Sequence, residues 1–396
     1  MLYILICAEI RFESFNFSYS DTSRPVLQQP NQSPKYNVFI LIKGDIMPIP
    51  LTRYVECFVP TTTCNLQCHY CYIAQQNLFS NKIAKISHSL DEIRQAFSKE
   101  RLGGACLINF CAGGETLLSP DILPIVRTLL ERGHYVMVVT NGTLTKRFDE
   151  VLTFPLELRK QLIFKFSFHY LEFKRLGILE QFAANINRMR QAKCSITVEI
   201  TPSDELIPYI DEVRQFSIDN FGAPCHVTIA RDDRTDDIHH LSTLPFDEYQ
   251  KTWSVFDSEL FSFKSQIFYH KRREFCHAGS WSFWTNLETG ETHQCYFGKS
   301  LGNLYDFSSP LHFEPVGYCC EYPHCYNGHS FLTLGDISNF PAPSYAQVRD
   351  RVCSDGSTWL QPEVRAFLSQ KLYNNNPPCP FSARLKSKVS AIKRHL

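Results

Sequence analysis

Three cysteines lie close together near the start of the regularly patterned part of this chain. They are Cys64, Cys68 and Cys71, at a C-x3-C-x2-C spacing directly after an apolar run over residues 54–59. Thiolates this close can converge on one soft metal centre. They are one ligand short of the four that close a structural zinc or iron–sulfur site, so such a centre keeps an open position for chemistry. The alternative is a partial zinc knuckle or three unrelated thiols.

A Gly-Gly-Glu run follows the next strand-like stretch. Residues 105–111 are mostly apolar, and Gly113, Gly114 and Glu115 come soon after them. Glycine allows the backbone to approach a ligand closely, and a carboxylate can accept hydrogen bonds from an ammonium group. Alone, such a run is usually a turn, but its place after a second strand and downstream of three cysteines favours a ligand site.

Polar residues also end the third and fourth strand-like stretches. Thr140 and Asn141 belong to a Thr-Asn-Gly turn, although Asn-Gly is also an ordinary tight turn. Ser167 and His169 alternate along the fourth stretch, so their side chains point to the same side. A structural role is the alternative for His169. Weaker candidates of the same kind are Glu199 and Thr201 on the fifth stretch and Arg231 after the sixth.

A second cysteine group lies in the C-terminal third. Cys276 and Cys295 bracket an aromatic hairpin with its turn at 289–290, and a hairpin brings its two ends together. Both thiolates can therefore reach one metal. Two more cysteines follow at Cys320 and Cys325, with Cys319 as the alternative to Cys320. Four such ligands make one closed site. A structural zinc site with the same ligands is the alternative.

The segments that position these residues alternate between strand-like and helix-like patterns. We predict strands over 54–59, 105–111, 135–140, 162–169, 195–201 and 226–230. We predict helices over 89–99, 120–132, 146–152, 178–192 and 205–220, then over 246–261 and 362–372. Six βα-like units in a row indicate an α/β fold whose parallel sheet curves into a partial or full barrel. The loops after the strands then carry the site.

The pattern divides the chain into five segments. Residues 1–46 are rich in Ser, Asn, Gln and Pro and are expected to be a dispensable or disordered arm. The predicted boundaries are 47–235 for the barrel, 236–275 for a connection, 276–335 for the cysteine-rich module and 336–396 for a helical segment with a basic tail.

Composition excludes several classes of function. Lys plus Arg and Asp plus Glu both number 40, so the formal net charge of zero argues against a general nucleic-acid binder. No apolar run reaches the roughly 18 residues of a membrane helix. The 16 cysteines, clustered at close spacings without a clear export signal, indicate metal ligation in a reducing compartment, so we expect a cytoplasmic protein.

The first cysteine group and the motifs after it resemble the radical S-adenosylmethionine (SAM) superfamily. The resemblance implies a 4Fe–4S cluster on Cys64, Cys68 and Cys71 whose fourth iron binds SAM, with the aromatic Tyr70 before the third cysteine. It places Gly113, Gly114 and Glu115 at the methionyl amino group, although Thr116 stands where the family often has Pro. It further implies SAM contacts, including the ribose or carboxylate, from four polar residues: Thr140, Asn141, Ser167 and His169.

The second cysteine group resembles the SPASM and twitch extensions of that superfamily. The resemblance implies a second, auxiliary 4Fe–4S cluster on Cys276, Cys295, Cys320 and Cys325. The implied fold is a partial (βα)6 barrel of the radical SAM type with a small cysteine-rich C-terminal extension.

The implied function is radical SAM catalysis: reductive cleavage of SAM to a 5′-deoxyadenosyl radical, followed by hydrogen abstraction from a substrate. The implied electron source is a low-potential donor such as flavodoxin or ferredoxin. We expect a peptide or protein maturation or oxidation reaction. The alternatives are a radical SAM enzyme acting on a sugar or other small molecule, and a non-catalytic iron–sulfur or zinc protein.

Overall fold

The computed structural model describes residues 49–372, apart from 84, 273, 297, 319, 321 and 336–341. The chain divides after Met47 into two units, and the described residues belong to the second. The predicted arm over 1–46, the basic tail and Cys319 lie outside the described residues.

Six parallel strands form the centre of the structure, and each pairs with the next along the chain. They are β1 (Leu51–Val59), β2 (Ala105–Ala112), β3 (Tyr135–Thr140), β4 (Leu162–Ser167), β5 (Ser195–Ile200) and β6 (His226–Val227). Among the described strands β6 pairs only with β5, so the sheet is open on that side. The predicted α/β fold with a parallel, partial (βα)6 barrel is therefore confirmed.

Helices connect these strands. They are α1 (Tyr72–Gln75), α2 (Leu90–Ala96), α3 (Lys99–Leu102), α4 (Ile122–Glu131), α5 (Thr145–Leu152), α6 (Leu156–Arg159), α7 (Tyr170–Leu176), α8 (Leu179–Gln191) and α9 (Ile210–Phe221). Short 3-10 helices cover Thr116–Leu118 and Asp204–Tyr209. Local sequence explains some boundaries: Ser89 and Glu92 form a capping box at the start of α2, and Gly222 ends α9 in a left-handed conformation.

The predicted helix over 246–261 is two helices, α10 (Phe246–Trp253) and α11 (Glu259–Ile267), with a 3-10 turn over Ser254–Phe256. The break falls at Asp257, whose φ of 46° is left-handed, and Ser258 then caps α11. Two short helices follow, α12 (Gly328–Phe331) and α13 (Pro362–Leu368). None of the described helices has the length and apolar composition needed to cross a membrane.

The predicted aromatic hairpin extends the barrel sheet. Its strands β9 (Ser282–Asn286) and β10 (Glu291–His293) are followed by β11 (Ser300–Asn303). Strand β9 lies parallel to β1, with Tyr54 opposite Ser282, and β10 and β11 continue antiparallel. A separate antiparallel pair, β7 (Arg231–Asp232) and β8 (His239–His240), lies after β6.

The strand ends that face away from the predicted site are closed by apolar packing. A cluster at the amino ends of β1 to β4 packs against α13, where the Phe367 ring stacks on Tyr135 with centroids 3.9 Å apart. The carboxyl ends of the strands are left to the loops, which is where polar residues collect.

Candidate active site

The three cysteines lie on the loop between β1 and α1. Cys71 is the residue before α1, and Cys71 N donates to the carbonyl oxygen of Cys68 at 3.1 Å. Burial raises the pKa of Cys64 to about 11 and of Cys68 to about 12, and the neighbouring cysteines add to both shifts. The three thiols are therefore close enough to interact with one another.

The two glycines of the Gly-Gly-Glu run allow the cysteine loop to pass directly over the end of β2. Gly114 N donates to the Thr61 carbonyl at 2.7 Å, and Glu115 N donates to the Thr63 carbonyl at 2.9 Å. A Cβ atom at Gly113 would lie 2.9 Å from the Thr61 carbonyl oxygen. A Cβ atom at Gly114 would overlap the Thr63 carbonyl oxygen. We predicted that the two glycines allow the backbone to approach a ligand closely. In the structure they allow the loop after β2 and the cysteine loop to approach each other closely.

Glu115 fastens the end of β2 to the end of β3. Its buried carboxylate accepts hydrogen bonds from Leu117 N (2.9 Å), Thr140 Oγ1 (2.7 Å) and Asn141 N (2.7 Å). Burial raises the pKa of this carboxyl, and the three donors oppose that shift. Only one of these bonds reaches Oε2, so that oxygen retains an acceptor position.

Asn141 reaches from the end of β3 to the cysteine loop. Its side-chain amide donates to Asn65 Oδ1 at 2.8 Å and lies 3.9 Å from Cys64 Sγ. Its Oδ1 accepts from Thr143. The sequence left open whether this was an ordinary Asn-Gly turn. In the structure the turn contacts the first cysteine of the group, Cys64.

Tyr70 and His169 form a pair at the end of β4. The Tyr70 hydroxyl lies 2.7 Å from His169 Nδ1, and the two rings stack with centroids 5.9 Å apart. Burial lowers the pKa of His169 to about 4, so the imidazole is neutral near pH 7.

The structure brings most of the predicted site residues to one cavity of about 160 Å3 at the carboxyl ends of the strands. Its lining includes Cys64, Cys68, Cys71, Gly113, Gly114, Glu115, Thr140, Asn141, Ser167 and His169. Tyr70 is the exception, since it lines the neighbouring cavity.

That second cavity, of about 560 Å3, occupies the barrel interior. The two cavities share four lining residues: Cys71, Ala112, Val139 and His169. The weaker sequence candidates Glu199, Thr201 and Arg231 line the larger one.

A group of buried charges lines the larger cavity. Glu199 Oε1 lies 3.2 Å from Lys165 Nζ, and Oε2 lies 2.6 Å from Arg349 Nη1. Burial alone would raise the pKa of the Glu199 carboxyl, but Lys165, Arg349 and the nearby Lys264 outweigh it and hold the pKa far below its usual range. The sequence analysis did not single out Lys165, Lys264 or Arg349, because none of them lies in a recognisable motif.

The second cysteine group also comes together. The pKa of Cys276 rises to about 12, first through burial and then through the neighbouring Cys320 and Cys295. Burial likewise raises the pKa of Cys325, with contributions from the other three thiols. Each of these four cysteines therefore lies within interaction range of others in the group.

Both thiol groups have the donor chemistry of iron–sulfur ligands. Among the residues that the structure describes, no group of three or more His, Cys, Asp or Glu side chains forms a ready ligand set for a metal ion. In a 4Fe–4S cluster each thiolate binds its own iron, so its ligands surround a cluster. Three mutually interacting thiols beside an open cavity fit a cluster with one open iron.

Fold and site define an α/β partial barrel with a three-thiol group at the carboxyl edge of its parallel strands. Residues 58–201 match the family model described as the Radical SAM superfamily. That range runs from β1 to the end of β5 and contains the three cysteines, the Gly-Gly-Glu run and the Thr-Asn-Gly turn. Over residues 58–201 the chain therefore matches a radical SAM domain, which agrees with the resemblance of the first cysteine group and with the prediction of an enzyme.

Individual relatives cover the chain only in part. The 7-carboxy-7-deazaguanine synthase of Thermoplasma acidophilum is 32% identical over 90 residues, which are 23% of this chain and 39% of that protein. The chain thus spans well under half the length of this relative.

Two solved structures align weakly with the chain. SuiB of Streptococcus suis bound to the precursor peptide SuiA has a TM-score of 0.47 at 13% identity, covering 67% of this chain and 66% of that one. The structure of anSMEcpe with AdoMet and the Kp18Cys peptide has a TM-score of 0.46 at 14% identity, covering 86% and 98%. At these TM-scores and identities the alignments say nothing about the substrate of this chain.

Proposed function

We propose that the protein is a radical SAM enzyme that binds SAM in the smaller cavity and its substrate in the larger one. The observation that carries this proposal is that the two cavities are adjacent. The three thiols line the first, and residues that include Cys71 and His169 line both.

In this proposal Cys64, Cys68 and Cys71 hold a 4Fe–4S cluster. When bound, such a cluster supplies the electron that cleaves SAM to methionine and a 5′-deoxyadenosyl radical, which abstracts hydrogen from the substrate. The protein's own contribution is binding, orientation and exclusion of water. The electron comes from a low-potential donor such as flavodoxin or ferredoxin.

The residues around the thiols would bind and orient the SAM. Glu115 Oε2 has an acceptor position left for the methionyl ammonium, while its other hydrogen bonds fix the carboxylate in place. Asn141 and Ser167 offer polar groups on neighbouring strands. Neutral His169, held by Tyr70, offers its second ring nitrogen, and a protonated imidazole would be a poor neighbour for the cationic sulfonium.

We assign the second thiol group to an auxiliary 4Fe–4S cluster on Cys276, Cys295, Cys320 and Cys325. The mutual influence of these thiols supports the assignment. A zinc ion on the same ligands is the alternative, and metal analysis separates the two.

The proposed substrate is a peptide or protein, of which one segment enters the larger cavity. A volume of about 560 Å3 lies within the range of about 300–1,000 Å3 that is typical of small-molecule sites. That size accommodates a side chain with its flanking backbone. It also supports the alternative of a sugar or another small molecule. A non-catalytic iron–sulfur protein would have no use for two adjacent cavities at the thiol group.

The deciding experiment is SAM cleavage by anaerobically reconstituted protein under reducing conditions. We expect 5′-deoxyadenosine from the wild type and none from a Cys64→Ala, Cys68→Ala, Cys71→Ala variant. Cys194→Ala is the matched control, because Cys194 is a buried cysteine that lines neither cavity. It should retain activity. Continued 5′-deoxyadenosine formation by the triple variant would refute the proposal.

A further inference from the structure

The larger cavity is lined by more cations than anions. Four basic residues line it, Lys165, Arg231, Lys264 and Arg349, against three acidic ones, Glu56, Glu199 and Asp233. Arg231 and Asp233 pair with each other at 3.5 Å. The remaining three cations therefore share two carboxyl groups.

Only one of those two carboxyl groups is paired with a cation. Glu199 binds Lys165 and Arg349. Among the described residues Glu56 forms no ion pair. It accepts hydrogen bonds from the Tyr54 hydroxyl and from Asn109 Nδ2, and burial raises its pKa. Basic side chains thus outnumber carboxyl groups in this lining, and Glu199, Lys264 and Arg349 are buried.

Arg349 lies beside this cavity and has two donors with no hydrogen-bond partner among the described residues. The residue is fully buried, and its Nη1 donates to Glu199. Its Nε and Nη2 have no partner with hydrogen-bond geometry in the described part of the chain; the Tyr345 ring lies beside the guanidinium, with its centroid 5.3 Å from Cζ, and the two groups interact electrostatically. Nε–H and Nη2–H lie parallel on one side of the guanidinium and match the two oxygens of a carboxylate. Leaving both buried donors unsatisfied is costly, which favours an occupant.

Two further groups are available to such an occupant. Lys264 is buried, and its Nζ donates to Thr228 Oγ1 at 2.5 Å, which uses one of its three protons. Burial lowers the pKa of Lys264 to about 7, so an added anion would stabilise its charged form. His329 Nδ1, in the same lining, is buried and has no partner among the described residues.

We infer that the substrate carries a carboxylate, which binds side-on to Arg349 with Lys264 beside it. This inference rests on the proposed function only in taking the larger cavity as the substrate's site. A carboxylate is the smallest group that fills both free N–H positions and supplies a counter-charge. In a peptide it is an acidic side chain or the C-terminus, and in a small molecule it is an acid group.

The test is calorimetric binding of three probes to the full-length, cluster-loaded protein with SAM present. The probes are glutarate, its neutral analogue glutaramide, and glycerol 3-phosphate. We expect glutarate to bind at least about tenfold more tightly than glutaramide, which corresponds to one charge-assisted hydrogen bond. Equal binding of glutarate and glutaramide would overturn the inference. Tighter binding of glycerol 3-phosphate than of glutarate would overturn the assignment to a carboxylate.

Variants locate the binding. Arg349→Gln should abolish the preference for glutarate, and Lys264→Met should weaken it severalfold. The control is Lys174→Met, which removes a lysine that pairs with Glu212 at 2.8 Å on the surface, so the preference should survive. Should Arg349→Gln fail to fold, the inference is still tested by Lys264→Met and by the comparison of glutarate with glutaramide in the wild type. An unchanged preference in folded Arg349→Gln would overturn the inference.

The outcome is separable from that of the proposed function. Protein that prefers glutarate but does not cleave SAM would refute the enzyme activity and leave the carboxylate site intact. Protein that cleaves SAM but lacks the preference would refute the carboxylate site alone.

Discussion

Replacing Glu115 by Gln should weaken both the loop junction and SAM binding. The carboxylate accepts from Leu117 N, Thr140 Oγ1 and Asn141 N, and a glutamine keeps only one of the two accepting oxygens. At least one buried donor then faces an NH2 group, at a cost of about 1–3 kcal/mol, and the bonds that remain lose their charge assistance. We expect the free energy of unfolding to fall by about 3 kcal/mol.

The loss of SAM affinity is measured separately by calorimetry on cluster-loaded protein. One lost charge-assisted bond to the ammonium corresponds to a tenfold to hundredfold increase in Kd, since it costs about 1.5–3 kcal/mol. Thr128→Val is the control, because it removes a hydroxyl that donates to the Pro124 carbonyl at 3.0 Å and lines neither cavity. It should cost about 1 kcal/mol and change the Kd less than about threefold.

Two results would refute this reasoning in different ways. A Glu115→Gln variant as stable as the wild type would mean that the junction between the second and third strands does not depend on this carboxylate. A destabilised variant with unchanged SAM affinity would leave Glu115 a purely structural role.

Three further perturbations test other parts of the structure. Gly114→Ala should lower the iron content by about half, because the new Cβ overlaps the Thr63 carbonyl and displaces the loop that carries Cys64, Cys68 and Cys71; normal loading, measured by iron analysis, would contradict this. Glu199→Gln should flatten the acid limb of the stability–pH curve. The folded pKa of Glu199 lies below its unfolded value of about 4.3, so its stabilisation is present above that pH and lost as the pH falls further, and an unchanged limb in acid titration would argue against the charge cluster. Cys276→Ala with Cys295→Ala should reduce about eight irons per chain to about four, whereas a single zinc in the Cys64, Cys68 and Cys71 variant would favour a structural zinc site.

The six barrel strands could be predicted because each signal is local. Apolar, β-branched stretches set the strands, and Ser and Gly at the helix ends set several boundaries. The position of the hairpin strand over Ser282–Asn286 could not be predicted. It pairs with the first strand, with Ser282 opposite Tyr54, and a pairing across so long a sequence separation leaves no mark in either stretch alone.

Within the site, too, local signals could be predicted and long-range contacts could not. The cysteines, the Gly-Gly-Glu run and the Thr-Asn-Gly turn were found because their residue types and spacing are unusual together. Lys264 comes from a helix after the barrel and Arg349 from the segment before the last helix, and each alone resembles an ordinary basic residue. Only the folded chain brings them to Glu199, so the substrate cavity was outside the reach of motif reasoning.

The second cysteine group contributes to the wall of the larger cavity, whether or not its proposed metal takes part in electron transfer. Tyr296 directly follows Cys295, and Tyr326 directly follows Cys325; both tyrosines line the larger cavity. A metal that fixes these two cysteines therefore also fixes part of the cavity wall. Removing the ligands should impair product formation more than SAM cleavage, because the smaller cavity contains none of these residues. Equal loss of both activities would instead indicate that the second group supports the whole barrel, to which its hairpin is joined through the first strand.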